Sequence, residues 1–255
     1  MPKYRIYAST EGRILIMEFD GERISRVGSA VSHPTGKPFL HDHEVFLPAG
    51  GGYEIFSEDL SSSTRVDLSF SPRIVLVYDS TVVAISESSV LGFGVSETIE
   101  GIKDSALGPD GIYIVTNREV FKLSEAGLQK VGDSTATLNT IAVGDSGEVY
   151  LGTEEGLMLE GTTVLREPVR SLFYSSGNLY VLTDTHLYVF DTVLKEFQGD
   201  GCDVSSLWIS DFEVLDGKLF YASENDSIGV LEIDGCRGIT SEPLENPIGI
   251  TVRGE

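Results

Sequence analysis

The chain has 255 residues, of which 41% are hydrophobic and 23% are charged, with 40 Asp and Glu against 18 Lys and Arg. This composition excludes a disordered or fibrous protein. The formal net charge of −22 disfavours direct binding of nucleic acid, because neutralising phosphates requires clustered Lys and Arg. It disfavours an anionic membrane surface for the same reason. We therefore expect an acidic globular protein whose charge serves solubility or adaptation to a salty or crowded cytoplasm. The alternative is that it binds another protein with a basic surface.

The ends of the chain and its cysteines bear on location. The first residues, MPKYRIYAS, lack the apolar run of a secretory signal, and no stretch approaches 18 uninterrupted apolar residues. These features predict a cytoplasmic protein. In that compartment we expect Cys202 and Cys236 to be reduced and independent, with a disulfide as the less favoured alternative.

One pattern recurs seven times along the chain. An apolar strand is followed by a small or hydroxylated residue, a tight turn with an acidic residue or Gly, and a second apolar strand. Seven copies in 255 residues give about 36 residues per repeat, the period of a propeller or solenoid. In chain order the copies begin at Arg5 (RIYASTEGRILIMEF), Val45 (VFLPAGGGYEIF), Ile74 (IVLVYDSTVVAI), Ile112 (IYIVTNREVFKL), Val149 (VYLGTEEGLMLE), Leu179 (LYVLTDTHLYVF) and Leu219 (LFYASENDSIGVLEI).

Each copy is flanked by two further strands. A short strand ending in a tight turn precedes it, as in LGPDG at 107–111, and a more polar strand follows it, as in GLQKVGD at 127–133. Turns with Gly between apolar runs are hairpin signals, so each unit is predicted to be a four-stranded antiparallel sheet. The second copy departs from the pattern, because Ser61–Ser63 lie where its outer strand is expected. We expect that strand to be short or missing.

The burial pattern favours a propeller over a sandwich. The second and third strands are apolar without alternation, which indicates that both faces are buried, whereas a sandwich strand would alternate. The polar fourth strands fit the exposed rim of a blade. IGITV at 248–252 resembles an inner strand. The sequence therefore predicts an all-β fold, a seven-bladed β-propeller of four-stranded antiparallel blades in a single domain over 1–255, closed by pairing of the C-terminal strand with the N-terminal blade.

Three segments carry a family resemblance. GEVYLGTEEGLMLEG at 147–161 resembles the repeat of two-component-regulator-type propellers, and NTIAVGDSGEVYLGT at 139–153 and NPIGITV at 246–252 are similar to repeats of the NHL and gluconolactonase-like groups. The resemblance implies the propeller fold but no activity, since propellers host unrelated functions. Gluconolactonase-like propellers hold a divalent metal with Glu, Asn and Asp side chains. The nearest candidates in this chain are Asn117, Asn139, Asp184 and Asp211.

Three of the four histidines lie in one segment, SHPTGKPFLHDHE. His41 and His43 are two residues apart, so on an extended strand both rings would project from one face. With Asp42, Glu44 or His33 they could ligate a transition metal. However, HDHE aligns with the turns of other blades, which favours an exposed loop that holds no metal.

Catalytic constellations are missing from the sequence. There is no G-x-S-x-G elbow, and the Gly clusters lie at hairpin turns rather than before helices. We therefore expect no catalytic residue, no metal and no cofactor. The single Trp, Trp208, lies in a long connection between the last two blades, where it is either an exposed binding anchor or a plug between blades.

These observations favour a non-enzymatic protein–protein interaction scaffold that uses the loop face of a rigid propeller. The candidate partner-binding residues are Trp208, His33, His41 and His43. The alternative is a metal-dependent small-molecule-binding or lactonase-like hydrolytic propeller. A third possibility is a subunit of a larger assembly that has no activity of its own.

Overall fold

The computed structural model describes residues 3–254 of the chain, and these residues form 29 β-strands and no helix. The strands in chain order are β1 (Tyr4–Thr10), β2 (Arg13–Phe19), β3 (Ile24–Val31), β4 (Phe39–His41), β5 (Glu44–Ala49), β6 (Gly52–Ser57), β7 (Ser63–Asp67), β8 (Ile74–Tyr78), β9 (Thr81–Ile85), β10 (Ser89–Gly92), β11 (Val95–Thr98), β12 (Asp104–Gly108), β13 (Gly111–Val115), β14 (Glu119–Ser124), β15 (Gly127–Asp133), β16 (Leu138–Val143), β17 (Val149–Thr153), β18 (Leu157–Leu159), β19 (Thr162–Leu165), β20 (Val169–Ser175), β21 (Asn178–Thr183), β22 (His186–Asp191), β23 (Glu196–Phe197), β24 (Cys202–Asp203), β25 (Ile209–Leu215), β26 (Lys218–Ser223), β27 (Ser227–Glu232), β28 (Arg237–Pro243) and β29 (Pro247–Gly254).

These strands form seven antiparallel sheets, and each sheet is one blade. The first blade has the order β29-β1-β2-β3, and the others are built from β4–β7, β8–β11, β12–β15, β16–β19, β20–β23 and β25–β28. In the sixth blade β24 also pairs with β22, which makes that sheet five-stranded. The predicted seven-bladed β-propeller is confirmed.

The C-terminal strand closes the first blade. β29 pairs with β1 along its length, from Gly254 opposite Tyr4 to Pro247 opposite Thr10, with a register shift between Ser9 and Thr10. This pairing places the inner strand of the first blade at the far end of the sequence and removes a free sheet edge. The predicted closure is confirmed.

The second strands of several blades are buried on both faces, whereas third strands such as β14 and β22 are only partly buried. All five residues of β13 (GIYIV) are buried, and five of the six residues of both β21 and β26 are buried. The outer strands are mostly exposed, as in β3 and β15. A strand packed on both faces keeps apolar residues at successive positions, which is why the repeat reads as continuous apolar runs.

The hydroxylated residue of the repeat caps the hairpin that joins the second and third strands. Thr153 is fully buried, and its Oγ1 accepts hydrogen bonds from the backbone N–H of Glu155 at 3.0 Å and of Gly156 at 2.9 Å. The same position holds Thr116, Thr183 and Ser223, whose hydroxyl oxygens accept equivalent bonds. Such bonds satisfy turn N–H groups that the strands leave unpaired.

One strand prediction is wrong, and the expectation of a short or missing outer strand in the second blade is met by a short one of five residues. IVLV, predicted as the second strand of the third blade, is β8, the inner strand, because the second and third strands of that blade are β9 and β10. The outer strand of the second blade is present as β7, and Ser63 is its first residue. The hydroxyl-rich Ser61 and Ser62 instead form the turn that leads into it, held by the Asp59 carboxylate and by Ser57.

Contacts between Cα atoms divide the chain into two compact units, residues 1–77 with 207–255 and residues 78–206. In the first unit, the ring centroids of Tyr4 and Phe220 lie 5.2 Å apart in a core that also contains buried strand residues of β2, β27 and β29. The prediction of a single domain over 1–255 stays a prediction.

The second unit has its own aromatic centre. The Tyr150 ring lies 6.4 Å from that of Tyr174 and 6.5 Å from that of Phe190, all three packed in one apolar cluster. Burying side chains of this size contributes about 1.5–3 kcal/mol each.

Both cysteines are disulfide-bonded, and neither Cys202 nor Cys236 is free. The expectation of two independent thiols is therefore wrong. That expectation rested on the predicted cytoplasmic location, where thiols are usually kept reduced. Disulfides are typical of oxidising compartments. The bonding therefore weighs against the cytoplasmic location, which stays a prediction.

Among residues 3–254, no helix has the length and hydrophobicity to cross a membrane.

Candidate functional site

The histidine segment forms a tight hairpin between β4 and β5. His41 is the last residue of β4, and Asp42 and His43 are the two turn residues, with φ angles of 44° and 68°. Positive φ at both central residues is the type I′ geometry that connects short hairpins. The segment is therefore a turn, as the alignment with other blades predicts. The two rings do not share the face of an extended strand, because the chain reverses between them.

Each ring has its own carboxylate neighbour. His41 Nε2 lies 3.4 Å from Asp42 Oδ2, and His43 Nδ1 lies 2.9 Å from Glu58 Oε1. Glu58 also forms an ion pair with Arg253 of β29. This carboxylate therefore links the hairpin to the closing strand, a connection that the sequence does not predict.

His33 lies apart from this pairing. It is exposed, and its backbone carbonyl accepts a hydrogen bond of 3.2 Å from the N–H of Gly50. The described residues contain no group of three or more His, Cys, Asp and Glu that could hold a metal ion.

Three of the side chains suggested by the gluconolactonase-like resemblance make contacts within the protein. Asn139 Nδ2 donates to the carbonyl of Val169 at 3.1 Å, and Asp184 Oδ1 lies 3.6 Å from Arg170 Nε. In the other unit, Asp211 Oδ2 accepts a hydrogen bond of 2.9 Å from the N–H of Ile250. The fourth candidate, Asn117, follows the capping Thr116 in a hairpin turn.

Trp208 is exposed and has an uncommon backbone conformation. Its exposed fraction is 56%, and its φ is 49°. A bulky residue with positive φ is a steric outlier. The neighbouring backbone holds it in place, since the Trp208 carbonyl accepts from the N–H of Glu224 at 2.9 Å and the Leu207 carbonyl accepts from Ser223 Oγ at 2.6 Å. Of the two expected roles, exposed anchor and plug, the exposure fits the first.

The loops around Trp208 form one connected surface. We call residues 207–210, 224–227 and 241–248 the Trp208 surface. The Asp226 carbonyl accepts from the N–H of Leu244 at 2.8 Å, and Asp226 Oδ1 accepts from the N–H of Asn246 at 2.9 Å. These three segments contain no Lys or Arg, and their four carboxylate residues are all exposed: Glu224, Asp226, Glu242 and Glu245.

The structure does not join Trp208 to the histidines. In residues 3–254, Trp208 makes no ring contact, hydrogen bond or ion pair with the side chains of His33, His41 or His43. The four predicted partner-binding residues therefore do not form one site, because Trp208 makes none of these contacts with the three histidines.

Comparison with known proteins identifies the fold. No family model matches the chain, and no curated protein matches its sequence. Solved structures match most of its length. Apo AztD from Citrobacter koseri is 12% identical with a TM-score of 0.58, over 100% of this chain and 98% of that chain. The WD40 domain of Neurospora crassa Pan2 is 11% identical with a TM-score of 0.64, over 85% and 82%.

The chain is a β-propeller. A third match is to the computationally designed Ika8 protein, at 10% identity and a TM-score of 0.63, over 95% of this chain and 87% of that chain. The likeness to a WD40 domain holds although this sequence contains no Trp-Asp dipeptide. At these identities the likenesses show the fold alone.

Sequence reasoning did not foresee two polar clusters. One is a cleft of about 700 Å³ in residues 78–206, lined by Glu100, Gly101, Thr116, Asn117, Arg118, Glu119, Asp133 and Ser134. The other is the pair Asp211 and Glu213 on β25. The pair had a detectable signal, because ISDFEVL places two acids on one face of an inner strand.

Proposed function

We propose that the protein is a non-enzymatic interaction scaffold, and that it binds another protein with a basic surface through the Trp208 surface. The observation that carries this proposal is the exposed Trp208 with its left-handed backbone, on three hydrogen-bonded segments that have four exposed carboxylates and no Lys or Arg.

The tryptophan supplies the anchor. Trp is over-represented among the residues that dominate binding energy at protein interfaces, and its ring face attracts cationic side chains. An uncommon backbone angle at a bulky residue costs on the order of 1–3 kcal/mol. A binding role explains why this cost is accepted at an exposed position, because the backbone angle fixes the direction in which the Trp208 ring points.

The carboxylates supply the charge complementarity. A surface of one sign steers an oppositely charged partner and raises the association rate. Glu224 adjoins Trp208 through its backbone N–H, and Asp226 organises the segment that carries Glu245. A Lys or Arg side chain on Trp208 would therefore meet a surface whose segments carry only negative charge.

Site-specific photo-crosslinking tests this function. Trp208 is replaced by p-benzoylphenylalanine in the full chain, expressed in its native cells, and a control variant carries the same residue at Val193, which is 82% exposed. We expect a covalent protein adduct at position 208 and not at 193. The adduct yield should fall as ionic strength rises, because screening weakens attraction between exposed charges.

The identified partner then allows a quantitative measurement. Trp208→Ala should weaken its binding at least about tenfold, and the double variant Glu224→Gln/Glu245→Gln should mainly slow association. Equal adducts at 208 and 193, no adduct at 208, or unchanged affinity of Trp208→Ala would contradict the proposal. The roles of His33, His41 and His43 in partner binding stay predictions, and the same crosslinker at His43 tests the hairpin.

A further inference from the structure

Two carboxylates of β25 hold the closing strand β29 by its backbone. Asp211 Oδ2 accepts from the N–H of Ile250 at 2.9 Å, and Glu213 Oε2 accepts from the N–H of Val252 at 2.8 Å. Residues two apart on a strand point to the same face, so the two acids lie side by side along β29. Glu213 Oε2 also accepts a hydrogen bond of 3.3 Å from Thr251 Oγ1.

An acid at the Glu213 position is absent from three other blades that align with this one through an aromatic residue of the second strand. Glu213 is paired with the aromatic Phe220 of the second strand. The inner-strand residues paired with the equivalent aromatics Tyr113, Tyr150 and Tyr180 are Ala106, Ala142 and Phe173.

The contact between β12 and β16 provides a comparison with a single carboxylate. There Asp104 Oδ2 accepts from Thr140 Oγ1 at 2.6 Å and from the N–H of Ile141 at 3.1 Å. Asp104 corresponds to Asp211, because each is paired with the same position of its second strand, Val115 and Ala222. Glu213 is therefore a second acid at an inter-strand contact that a single carboxylate makes between β12 and β16.

The charged groups that face Glu213 come from two elements. Asp211 lies on β25 itself, and Lys37 comes from the segment before β4, with its Nζ 3.5 Å from Asp211 Oδ1. A side chain at Gly249 would collide with Lys37 and approach Asp211 Oδ2, so β29 itself packs against this charged group. The Asp211 side chain is only 15% exposed.

We propose that Asp211, Glu213 and Lys37 form a proton-sensitive clasp, in which proton uptake at Glu213 stabilises the docked position of β29 and proton loss destabilises it. When both acids are ionised, two negative charges lie side by side between β25 and β29, and one lysine, Lys37, is close to them. A proton from solvent on Glu213 removes the cost of a desolvated charge and its repulsion from Asp211. It leaves a carbonyl oxygen that still accepts the backbone N–H, although less strongly than a carboxylate does.

The direction of the pH dependence follows from the environment of Glu213. Desolvation raises its pKa from 4.5 to about 7, helped by Asp211, while Lys37 and the hydrogen bonds from Val252 and Thr251 act in the opposite direction. Because the folded-state pKa is above the unfolded value, the folded state binds more protons between these two pH values. The contribution of Glu213 to stability is therefore fully present below about pH 4.5 and is lost as the pH rises through about 7. Glu213 keeps partial solvent exposure, which reduces the size of the effect.

Hydrogen exchange of individual amides tests the clasp in the full chain. The protection factors of Ile250 and Val252 are measured between about pH 5 and about pH 8.5, with correction for the intrinsic exchange rate, and Ile141 serves as the internal control. We expect the protection of Val252 to fall at least about fivefold more than that of Ile141 over this range. In Glu213→Gln, which keeps the acceptor without the charge, this difference should disappear.

Three results would overturn the proposal. One is protection of Val252 that stays constant or rises with pH. Another is an equal fall at Ile141, which would indicate global rather than local loosening. The third is an unchanged pH dependence in Glu213→Gln. The wild-type measurement stands without the variant, so a Glu213→Gln chain that fails to fold leaves the first two results decisive.

Discussion

Several hairpins of this protein depend on backbone angles at single residues. Asp42 and His43 have positive φ, and so do Asp79 and Ser80 in the turn between β8 and β9. Asp is among the non-glycine residues that adopt this region most readily, because its short polar side chain can bond locally. These turns therefore form without glycine.

Gly156, at the turn between β17 and β18, is a position where only glycine fits. Its φ is 143°, and a Cβ there would collide with the backbone carbonyl of Leu165. We expect Gly156→Ala to lower the free energy of unfolding by about 2–4 kcal/mol, measured by urea denaturation. The matched control is Gly50→Ala, since Gly50 has open space around its Cβ position and should change stability by less than about 0.5 kcal/mol. Equal losses in the two variants would refute this account of the turn.

At the residue scale, the sequence predicted which candidate side chains are exposed better than it predicted which residues they contact. It placed the HDHE segment on a turn and Trp208 on a connection, because turn residues and the repeat register are local properties. It could not predict that Glu58 joins His43 to Arg253, since that contact depends on side chains far apart in the chain. The Trp208 surface likewise depends on hydrogen bonds between three separate loops.

At the scale of elements, the repeated hydroxyl joins sequence pattern to hairpin geometry. A buried oxygen at the end of the second strand accepts the first N–H groups of the turn, as Thr153 does for Glu155 and Gly156. A buried N–H without a partner costs roughly 1–3 kcal/mol. The recurrence of Thr or Ser at this position therefore has a direct energetic reason.

Replacing this hydroxyl by a methyl group tests that reason. Thr153→Val keeps the shape of the side chain but removes the acceptor, so we expect a loss of about 1–3 kcal/mol in the free energy of unfolding. Thr162→Val, at an exposed position of β19, is the control and should leave stability within about 0.5 kcal/mol. A Thr153→Val protein as stable as wild type would show that the turn finds other partners.

The order of strands within the third blade could not be read correctly from the sequence. The first and second strands of that blade, IVLVY and TVVAI, are both short apolar runs joined by a tight turn, so they resemble the second and third strands of other copies. Periodicity does not distinguish neighbouring buried strands. β8 is identified as the inner strand because it lies at the end of its sheet and pairs with β9 and no other strand.

At the scale of the whole molecule, the sequence predicted the fold because each of the seven imperfect repeats indicates the same four-stranded blade. Errors in one copy do not change the number of blades. The repeats carried no information about the disulfide-bonded cysteines or about the carboxylate pair of β25, because both are departures from the repeat. Where one blade differs from the others, the repeat cannot predict the contacts.

The closure by β29 is the claim on which the rest of the structure depends. β29 completes the first blade and supplies part of the Trp208 surface. Its backbone N–H groups also donate hydrogen bonds to the two carboxylates of β25. Without β29, β1 would be an unpaired edge, and buried residues such as Ile250 would be lost from the core.

Urea unfolding of a chain that ends at Asn246 tests this claim most directly, with a chain that ends at Arg253 as the control. We predict that the control keeps one cooperative transition close to that of the full protein. The chain without β29 should lose that transition and expose apolar surface, and a synthetic peptide covering residues 246–254 should restore it. A chain ending at Asn246 that unfolds at the same urea concentration as the full protein would contradict the closure, and two separate transitions in the full protein would contradict the prediction of a single domain.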